Sequence, residues 1–143
     1  MNIGAICHKD VVTAKPEATA HEALQLMKDR HVGTVVVVEE NRVTGIVTDR
    51  DIALRSLAQH RLPDAVSLQE IMTPNPVTVQ EDASVHTAIR LLCQYGVRRL
   101  PILDPQGRLV GLASLDDLVL LLGKELYELA AAVASELQKE RRH

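Results

Sequence analysis

The stretch Gly45-Ile46-Val47-Thr48-Asp49-Arg50-Asp51 recurs, with the same pattern of residue types, as Gly111-Leu112-Ala113-Ser114-Leu115-Asp116-Asp117. Each copy ends an apolar run with a hydroxyl side chain and places a carboxylate three residues further on. This spacing is typical of a capped helix N-terminus. Free backbone N–H groups at a helix start also attract anions, and a carboxylate there can accept hydrogen bonds from the hydroxyls of a ribose. The motif is therefore compatible both with plain capping and with a ligand site.

The motif belongs to an internal repeat that covers most of the chain. Val12-Thr13 recurs 65 positions later as Val77-Thr78, whereas Gly45 recurs 66 positions later as Gly111. One extra residue in the second copy, within residues 104–108, accounts for the change of spacing. We expect this segment to be a turn, because turns tolerate insertions.

Each repeat is predicted to contain a strand, a helix, a two-stranded hairpin and a second helix, which makes the fold α+β. The first helix is expected to begin at Thr19 in one repeat and at Ser84 in the other, and residues 19–22 fit a capping box. Asp, Pro and Gly within residues 104–107 stand where a type I turn prefers them. The predicted strands are 11–14, 34–38 and 43–48, then 77–79, 100–103 and 108–114, and the second helices start at Asp49 and Leu115.

The repeats predict three parts in the chain: a first repeat over residues 3–60, a second over 66–123 and a C-terminal helix over 124–143. Gly123 predicts a break or kink where the last helix starts. That helix carries one apolar stripe, which we expect to pack on the rest of the module or on a partner subunit. The stripe consists of Leu122, Leu126, Leu129, Val133 and Leu137.

Composition argues against several classes of function. The chain has 143 residues, a formal net charge of −3, no Trp and no Phe. It therefore lacks both the basic field and the aromatic platform that nucleic-acid binding uses, and any slot for a base should have aliphatic walls. No apolar run has the length of a membrane span, and no basic region with a following apolar stretch marks a secretion signal. We expect a cytoplasmic protein that binds neither nucleic acid nor membrane.

The reactive residue types form no catalytic or metal-binding pattern. Six histidines are present, but none has metal-ligand spacing with a third ligand beside it. No Ser-His-Asp or Cys-His arrangement and no glycine-rich phosphate loop is apparent. Cys7 and Cys93 are expected to be two buried thiols. The sequence therefore predicts a protein that is not an enzyme and that needs no cofactor.

A pair of arginines, Arg98 and Arg99, precedes the middle strand of the second repeat. Neighbouring side chains on a strand point to opposite faces, so both reach one cleft only if the strand is not yet regular there. A guanidinium suits phosphate because its planar fork donates two parallel hydrogen bonds. The alternative is a pair of solvated surface charges. The first repeat has Gly33 and Thr34 at the matching positions, so the two halves should treat phosphate differently.

The ordered and duplicated set of motifs resembles tandem CBS domains. The resemblance rests on the Gly–apolar–apolar–Thr/Ser–x–x–Asp signature, on the segment 71–79 (Ile-Met-Thr-Pro-Asn-Pro-Val-Thr-Val) and on residues 99–102 (Arg-Leu-Pro-Ile). It covers about residues 3–122 and leaves the C-terminal helix outside. It implies two repeats packed sheet to sheet as one pseudo-two-fold module, with two clefts between them.

In that family the clefts hold AMP, ADP, ATP, NAD or S-adenosylmethionine, so the resemblance implies a regulatory module that senses an adenosine-containing small molecule, with AMP first among the candidates. The resemblance implies that Asp51 and Asp117 contact the ribose, and that Thr48 and Ser114 contact the ribose or the phosphate. It implies that Arg98 and Arg99 contact the phosphate, with Arg50 assisting. Val12, Val77 and Pro101 would border the adenine. Its output would pass through a separate effector protein. The alternative is a structural or protein-interaction module without a nucleotide.

A homodimer is expected, because the apolar run at residues 118–122 exceeds what one chain can bury along a single helix face.

Overall fold

Two β-sheets with helices packed against them make up the computed structural model, which describes residues 1–141. The first sheet has the order β1-β2-β3-β4 and the second the order β5-β6-β7. In both sheets a parallel first strand joins an antiparallel hairpin. The strands are β1 Thr13–Ala14, β2 Thr34–Glu39, β3 Arg42–Thr48, β4 Thr73–Pro74, β5 Val79–Gln80, β6 Arg99–Leu103 and β7 Leu109–Ser114. The helices are α1 Ile3–Ile6, α2 Ala20–Arg30, α3 Asp49–Arg55, α4 Leu68–Ile71, α5 Val85–Tyr95 and α6 Leu115–Arg141, with 3₁₀ turns at Leu57–Gln59 and Pro63–Ala65.

The two hairpins differ at their turns, as the change of repeat spacing predicted. Glu39 pairs with Arg42, so β2 and β3 are joined by two residues, Glu40 and Asn41, both with positive φ. That geometry is the usual two-residue hairpin turn. Between β6 and β7 the backbone N–H of Asp104 bonds to the carbonyl of Arg108, which leaves three residues in the turn. The extra residue in the second repeat therefore lies in a turn, and that prediction is confirmed.

The first helix of each repeat begins where the sequence predicted. The Thr19 hydroxyl accepts the N–H of Glu22, and the Glu22 carboxylate accepts the N–H of Thr19, which completes the capping box. In the second repeat the Ser84 hydroxyl accepts the N–H of Thr87. The mixed α+β class is confirmed, and the hairpins and the first helices lie close to their predicted positions. β1 is shorter than expected, and β5 lies at Val79–Gln80 rather than at 77–79.

Each hydrophobic core is completed by residues from the start of the other repeat. Ile3, at the start of the first repeat, is fully buried in the core of the second, and its N–H bonds to the Ala83 carbonyl at 2.8 Å. Leu68 and Ile71, near the start of the second repeat, lie in the core of the first. The two cores are otherwise aliphatic and centre on the hairpins. The crossed segments bind the repeats together, so neither core is complete without residues from the other repeat.

Helix α6 differs from the prediction. It runs without interruption from Leu115 to Arg141, a length of 27 residues, and Gly123 lies inside it, so the predicted break at Gly123 is wrong. A glycine within a helix costs only about 1 kcal/mol relative to alanine, and the flanking Leu, Lys and Glu residues favour the helix. Leu118 is buried against the second sheet, but Leu126 is 67% exposed. The apolar stripe therefore does not pack on the module itself.

The end of the predicted C-terminal helix, Arg142 and His143, lies outside the described residues. Within residues 1–141 no helix combines the length and the apolar content that crossing a membrane requires.

Candidate functional site

Two clefts lie at equivalent places in the two repeats. We name them after the aspartate that each contains. The Asp51 cleft has a volume of about 380 Å³, and the Asp117 cleft a volume of about 460 Å³. The Asp51 cleft is lined by Ile46, Thr48, Asp51, Thr73, Asn75, Pro76, Val77, Tyr95, Val97, Arg98 and Arg99. The Asp117 cleft is lined by His8, Asp10, Val11, Val12, Arg30, His31, Val32, Gly33, Thr34, Arg99, Leu112, Ser114 and Asp117.

Residues that line one cleft correspond, by the repeat spacing, to residues that line the other. The shift of 65 takes Val12 to Val77, and the shift of 66 takes Thr48 to Ser114. Each cleft combines the Thr/Ser–x–x–Asp motif of one repeat with the entry to the first strand and the end of the first helix of the other. Both repeats are therefore needed to form either cleft.

Eight of the ten residues that were predicted to bind a nucleotide line the two clefts. Thr48, Asp51, Val77 and Arg98 line the Asp51 cleft, Val12, Ser114 and Asp117 line the Asp117 cleft, and Arg99 lines both. The two others lie elsewhere. Arg50 is exposed on the first turn of α3, and Pro101 is fully buried in β6, where it pairs with Leu112; neither is among the residues that line the clefts.

Asp51 both caps a helix and lines a cleft. Its N–H donates to the Thr48 hydroxyl at 3.2 Å, and its Oδ2 accepts the N–H of Thr48 at 2.9 Å. The other carboxylate oxygen, Oδ1, is 4.0 Å from the nearest nitrogen of Arg55. A ligand hydroxyl can therefore bond to this second oxygen while the cap stays intact, so the two interpretations of the motif are compatible at this site.

Asp117 makes a different contact. Its N–H donates to the Ser114 hydroxyl at 3.1 Å, as in the first repeat, but its carboxylate Oδ2 lies 2.9 Å from Nε2 of His8. His8 enters from the N-terminal segment, which pairs with β7 through Leu112. The position that matches His8 in the Asp51 cleft is Thr73, which carries no charge. A ribose in the Asp117 cleft would therefore meet a carboxylate that already has an imidazole on one of its two oxygens.

The arginines also have different surroundings. Nη2 of Arg98 is 2.8 Å from Oδ1 of Asp116, and both side chains are largely exposed. Arg99 is half-buried and has no ion pair among residues 1–141. In the Asp117 cleft the remaining guanidinium, that of Arg30, is paired with Asp10. Arg99 is thus the guanidinium that stays available at both clefts.

The sequence interpretation did not single out several lining residues, among them His8, Tyr95 and Thr34. Tyr95, 53% exposed at the end of α5, supplies an aromatic ring to the Asp51 cleft, although only aliphatic walls were expected. Thr34 is 5% exposed, and its hydroxyl is the buried side-chain oxygen that has no hydrogen-bond partner in the described structure. The repeat spacing could have found Thr34, because the shift of 65 relates it to Arg99. It could not have found Tyr95, because the matching residue, Arg30, was not singled out either.

The two cysteine side chains differ in burial. Cys7 is half-buried, and its Sγ lies where a side chain at Gly111 would stand, only 2.4 Å from the position of a Cβ atom. Cys93 is exposed on α5, so the expectation of two buried thiols is wrong for Cys93. Among the described residues no group of three or more His, Cys, Asp or Glu side chains is arranged to hold a metal ion.

Comparison with known proteins agrees with this architecture. The family model described as "CBS domain" matches residues 3–57 and 68–124. The CBS domain-containing protein YhcV of Bacillus subtilis is 43% identical over 108 residues, which are 76% of this chain and 76% of that protein. An uncharacterised protein of Methanopyrus kandleri is 36% identical over 140 residues, or 97% of this chain and 69% of that one.

A solved structure extends the comparison to three dimensions. The CBS domain pair of protein MJ0100, in complex with 5'-methylthioadenosine and S-adenosyl-L-methionine, superposes with a TM-score of 0.78 at 28% identity. The match covers 87% of this chain and 98% of that one. Two sheets built by an internal repeat, with equivalent clefts formed between the repeats, define a paired domain. The chain belongs to the CBS domain family and carries two CBS domains in tandem.

Proposed function

We propose that the chain is a non-catalytic regulatory module that binds an adenosine-containing small molecule, with AMP first among the candidates, and that the Asp51 cleft is its principal site. The observation that carries the proposal is the composition of that cleft. Asp51 offers a free carboxylate oxygen to a ribose, Arg98 and Arg99 offer guanidinium groups to a phosphate, and Tyr95 offers a ring to a base. Aromatic rings and apolar walls with a few polar groups are the usual lining of a small-molecule site.

The binding of adenosyl compounds by the CBS pair of MJ0100 supports the same class of ligand. The alternative function is a protein-interaction module in which Asp51 and Asp117 act only as helix caps. The capping contacts of both residues would be the same in that case, whereas only the ligand hypothesis uses the arginines and Tyr95. Signal output is proposed to pass through a separate effector protein.

A thermal-shift experiment decides between these functions. AMP, ADP, ATP, NAD and S-adenosylmethionine are each added at millimolar concentration. A ligand at a hundred times its Kd should stabilise the folded state by about 2.7 kcal/mol. Ribose 5-phosphate serves as the control, because it has the ribose and the phosphate but no base to contact Tyr95 and Val77. Unchanged melting with all five adenosyl compounds would leave the interaction module as the function.

We also propose that the partner in solution includes a second copy of this chain, held through α6. Val119 extends the apolar stripe towards the start of α6, and from Val119 the stripe continues through Leu122, Leu126, Leu129 and Val133 at alternating spacings of three and four, with all five residues exposed. Leu137, the last residue of the stripe, follows Val133 by four and lies outside this alternation. The alternation is the heptad pattern of a coiled coil, and Val at two of the first positions with Leu at the second positions favours two parallel strands. The same stripe on two copies is self-complementary, which suits a two-fold pair.

A further inference from the structure

The Asp117 cleft has no arginine of its own at the positions where the second repeat carries its pair. Gly33 and Thr34 stand there, at the places that Arg98 and Arg99 hold in the second repeat. The Thr34 hydroxyl is buried and unpartnered in the described structure, so this wall of the cleft is polar but uncharged. A phosphate entering this cleft would therefore have to find its cation elsewhere.

Besides Arg99, the basic side chains that line the Asp117 cleft are one arginine, Arg30, and two histidines, His8 and His31. Arg30 forms an ion pair with Asp10, and Nε2 of His8 lies 2.9 Å from the Asp117 carboxylate. Arg99 remains, and within residues 1–141 it has no carboxylate partner. The backbone explains why it can reach this cleft: Arg99 is paired with Ser114 across β6 and β7, and Ser114 is part of the cleft wall.

Arg99 is also part of the Asp51 cleft, where it stands next to Arg98. Its counterpart Thr34 pairs with Thr48 in the same way but lines only one cleft, because its side chain is too short to reach a second. A guanidinium presents one planar fork, and bidentate binding of a phosphate orients that fork towards a single anion. One Arg99 therefore faces two clefts that would both use it.

We propose that Arg99 couples the two clefts negatively for ligands that carry a phosphate. A nucleotide in the Asp51 cleft takes the guanidinium, and a second nucleotide in the Asp117 cleft then binds without it. A nucleoside, which has no phosphate, binds the two clefts independently. This coupling rests on the proposed nucleotide function and adds a consequence to it: in the presence of AMP the module has one strong site, and the Asp117 cleft prefers an adenosyl compound without a phosphate.

The test follows each cleft separately by two-dimensional NMR, with AMP and adenosine as the probes. The backbone amide of Val97 reports on the Asp51 cleft and that of His31 on the Asp117 cleft. Asp51→Asn weakens AMP in its own cleft and so releases Arg99. We therefore expect this substitution to tighten AMP in the distant Asp117 cleft by about tenfold, which is about 1.4 kcal/mol. Adenosine in the Asp117 cleft should bind with the same Kd in wild type and variant.

Substitution of the arginines separates the proposed cause from others. In Arg99→Gln, AMP should be weaker in both clefts, and the addition of Asp51→Asn should no longer tighten the Asp117 cleft. Arg98→Gln is the matched control: in the Asp51→Asn background it should leave AMP in the Asp117 cleft unchanged. Repulsion between two bound phosphates would also couple the clefts, but that coupling would persist in Arg99→Gln. The melting curve of each variant without ligand shows that the fold is retained.

The outcomes separate this inference from the function on which it rests. If AMP fills both clefts of the wild type and Asp51→Asn leaves the Asp117 cleft unchanged, the coupling is overturned while nucleotide binding stands. If coupling persists in Arg99→Gln, Arg99 is not its cause. If neither AMP nor adenosine shifts any amide signal, the coupling and the proposed function fail together.

Discussion

The Asp51 cleft and the Asp117 cleft share a backbone but not a chemistry. Both are framed by a hairpin, a helix start capped by a hydroxyl, and the segment that leads into the first strand of the opposite repeat. In the Asp51 cleft the carboxylate completes a capping box, whereas in the Asp117 cleft it contacts His8. Tyr95 borders one cleft, and the ion pair of Arg30 with Asp10 borders the other.

This difference shows which residues a duplicated fold can vary. The residues that cap the helices have kept a hydroxyl side chain in both repeats: Thr19 and Thr48 in the first, Ser84 and Ser114 in the second. The residues that differ stand at strand entries and helix ends, where side chains face the clefts and the backbone does not depend on them. One architecture can therefore hold two sites with different ligand preferences.

The same contrast applies to the second helices. Helix α3 has seven residues and ends at Arg55, whereas α6 has 27 residues and spans about 40 Å. Beyond Leu118 the apolar stripe of α6 is exposed. The second repeat therefore contributes a surface for association that the first repeat lacks.

The largest expected effect concerns this surface. Leu126→Glu places a charge in the middle of the proposed seam, and in a two-fold pair it does so twice. Since burying one leucine contributes about 1.5–3 kcal/mol, self-association should weaken by at least about a hundredfold. Sedimentation equilibrium measures the change. Tyr127→Glu, one residue further round the helix and 76% exposed, is the matched control and should leave association intact.

Cysteine cross-linking checks the direction of the helices. In a Cys93→Ser background, Leu126→Cys should oxidise to a covalent dimer, because parallel helices bring the two copies of one position together. Tyr127→Cys should not. A wild-type protein that sediments at micromolar concentration as a 15.7 kDa monomer would remove the dimer from the proposal.

The next prediction compares the two carboxylates. Asp51→Asn should weaken AMP in the Asp51 cleft by about tenfold, or about 1.4 kcal/mol, because the side chain loses its charge but keeps an oxygen for the cap. Asp117→Asn should weaken the binding of adenosine in the Asp117 cleft by a similar factor. Binding in the Asp51 cleft, which the amide signal of Val97 reports, should not change. The free energy of unfolding without ligand should change by no more than about 0.5 kcal/mol in either variant. Calorimetry that finds unaltered affinities in both variants would identify these residues as caps alone.

The smallest effect concerns the two hairpin turns. The backbone N–H of Arg108, and then its guanidinium, hold the pKa of Asp104 below its usual value, although burial acts in the opposite direction. A carboxyl whose folded pKa is lowered stabilises the fold above its unfolded pKa, and this contribution disappears as the pH falls through the folded value. Asp104→Asn should therefore lower the melting temperature at pH 7 and make little difference in strong acid.

Glu39, the counterpart of Asp104 in the first repeat, provides the control for that prediction. Glu39 is exposed, and its turn has one residue fewer. Glu39→Gln should therefore leave the melting temperature the same at both pH values. An Asp104→Asn variant that loses as much stability in acid as at pH 7 would show that the charge of Asp104 does not contribute.

Much of the fold could be predicted because its signals are local. The capping residues Thr19 and Ser84, the position of the inserted turn residue and the starts of α3 and α6 all follow from neighbouring residues. The break at Gly123 was predicted wrongly, because one glycine does not outweigh the helix formers on either side. The crossing of Ile3 into the second core could not be predicted, because it depends on a contact between distant parts of the chain.

The candidate site also has some features that the sequence predicts and others that only the structure shows. The sequence by itself determined the duplication, the α+β class and the two aspartates, because these depend on residue type and spacing within a few residues. Only the tertiary structure decided that His8 lies against Asp117, that Tyr95 faces the Asp51 cleft and that Arg99 borders both clefts. Each of these contacts joins residues of different repeats or different ends of the chain. Their distances follow from how the two sheets pack, and no pattern within one repeat contains that information.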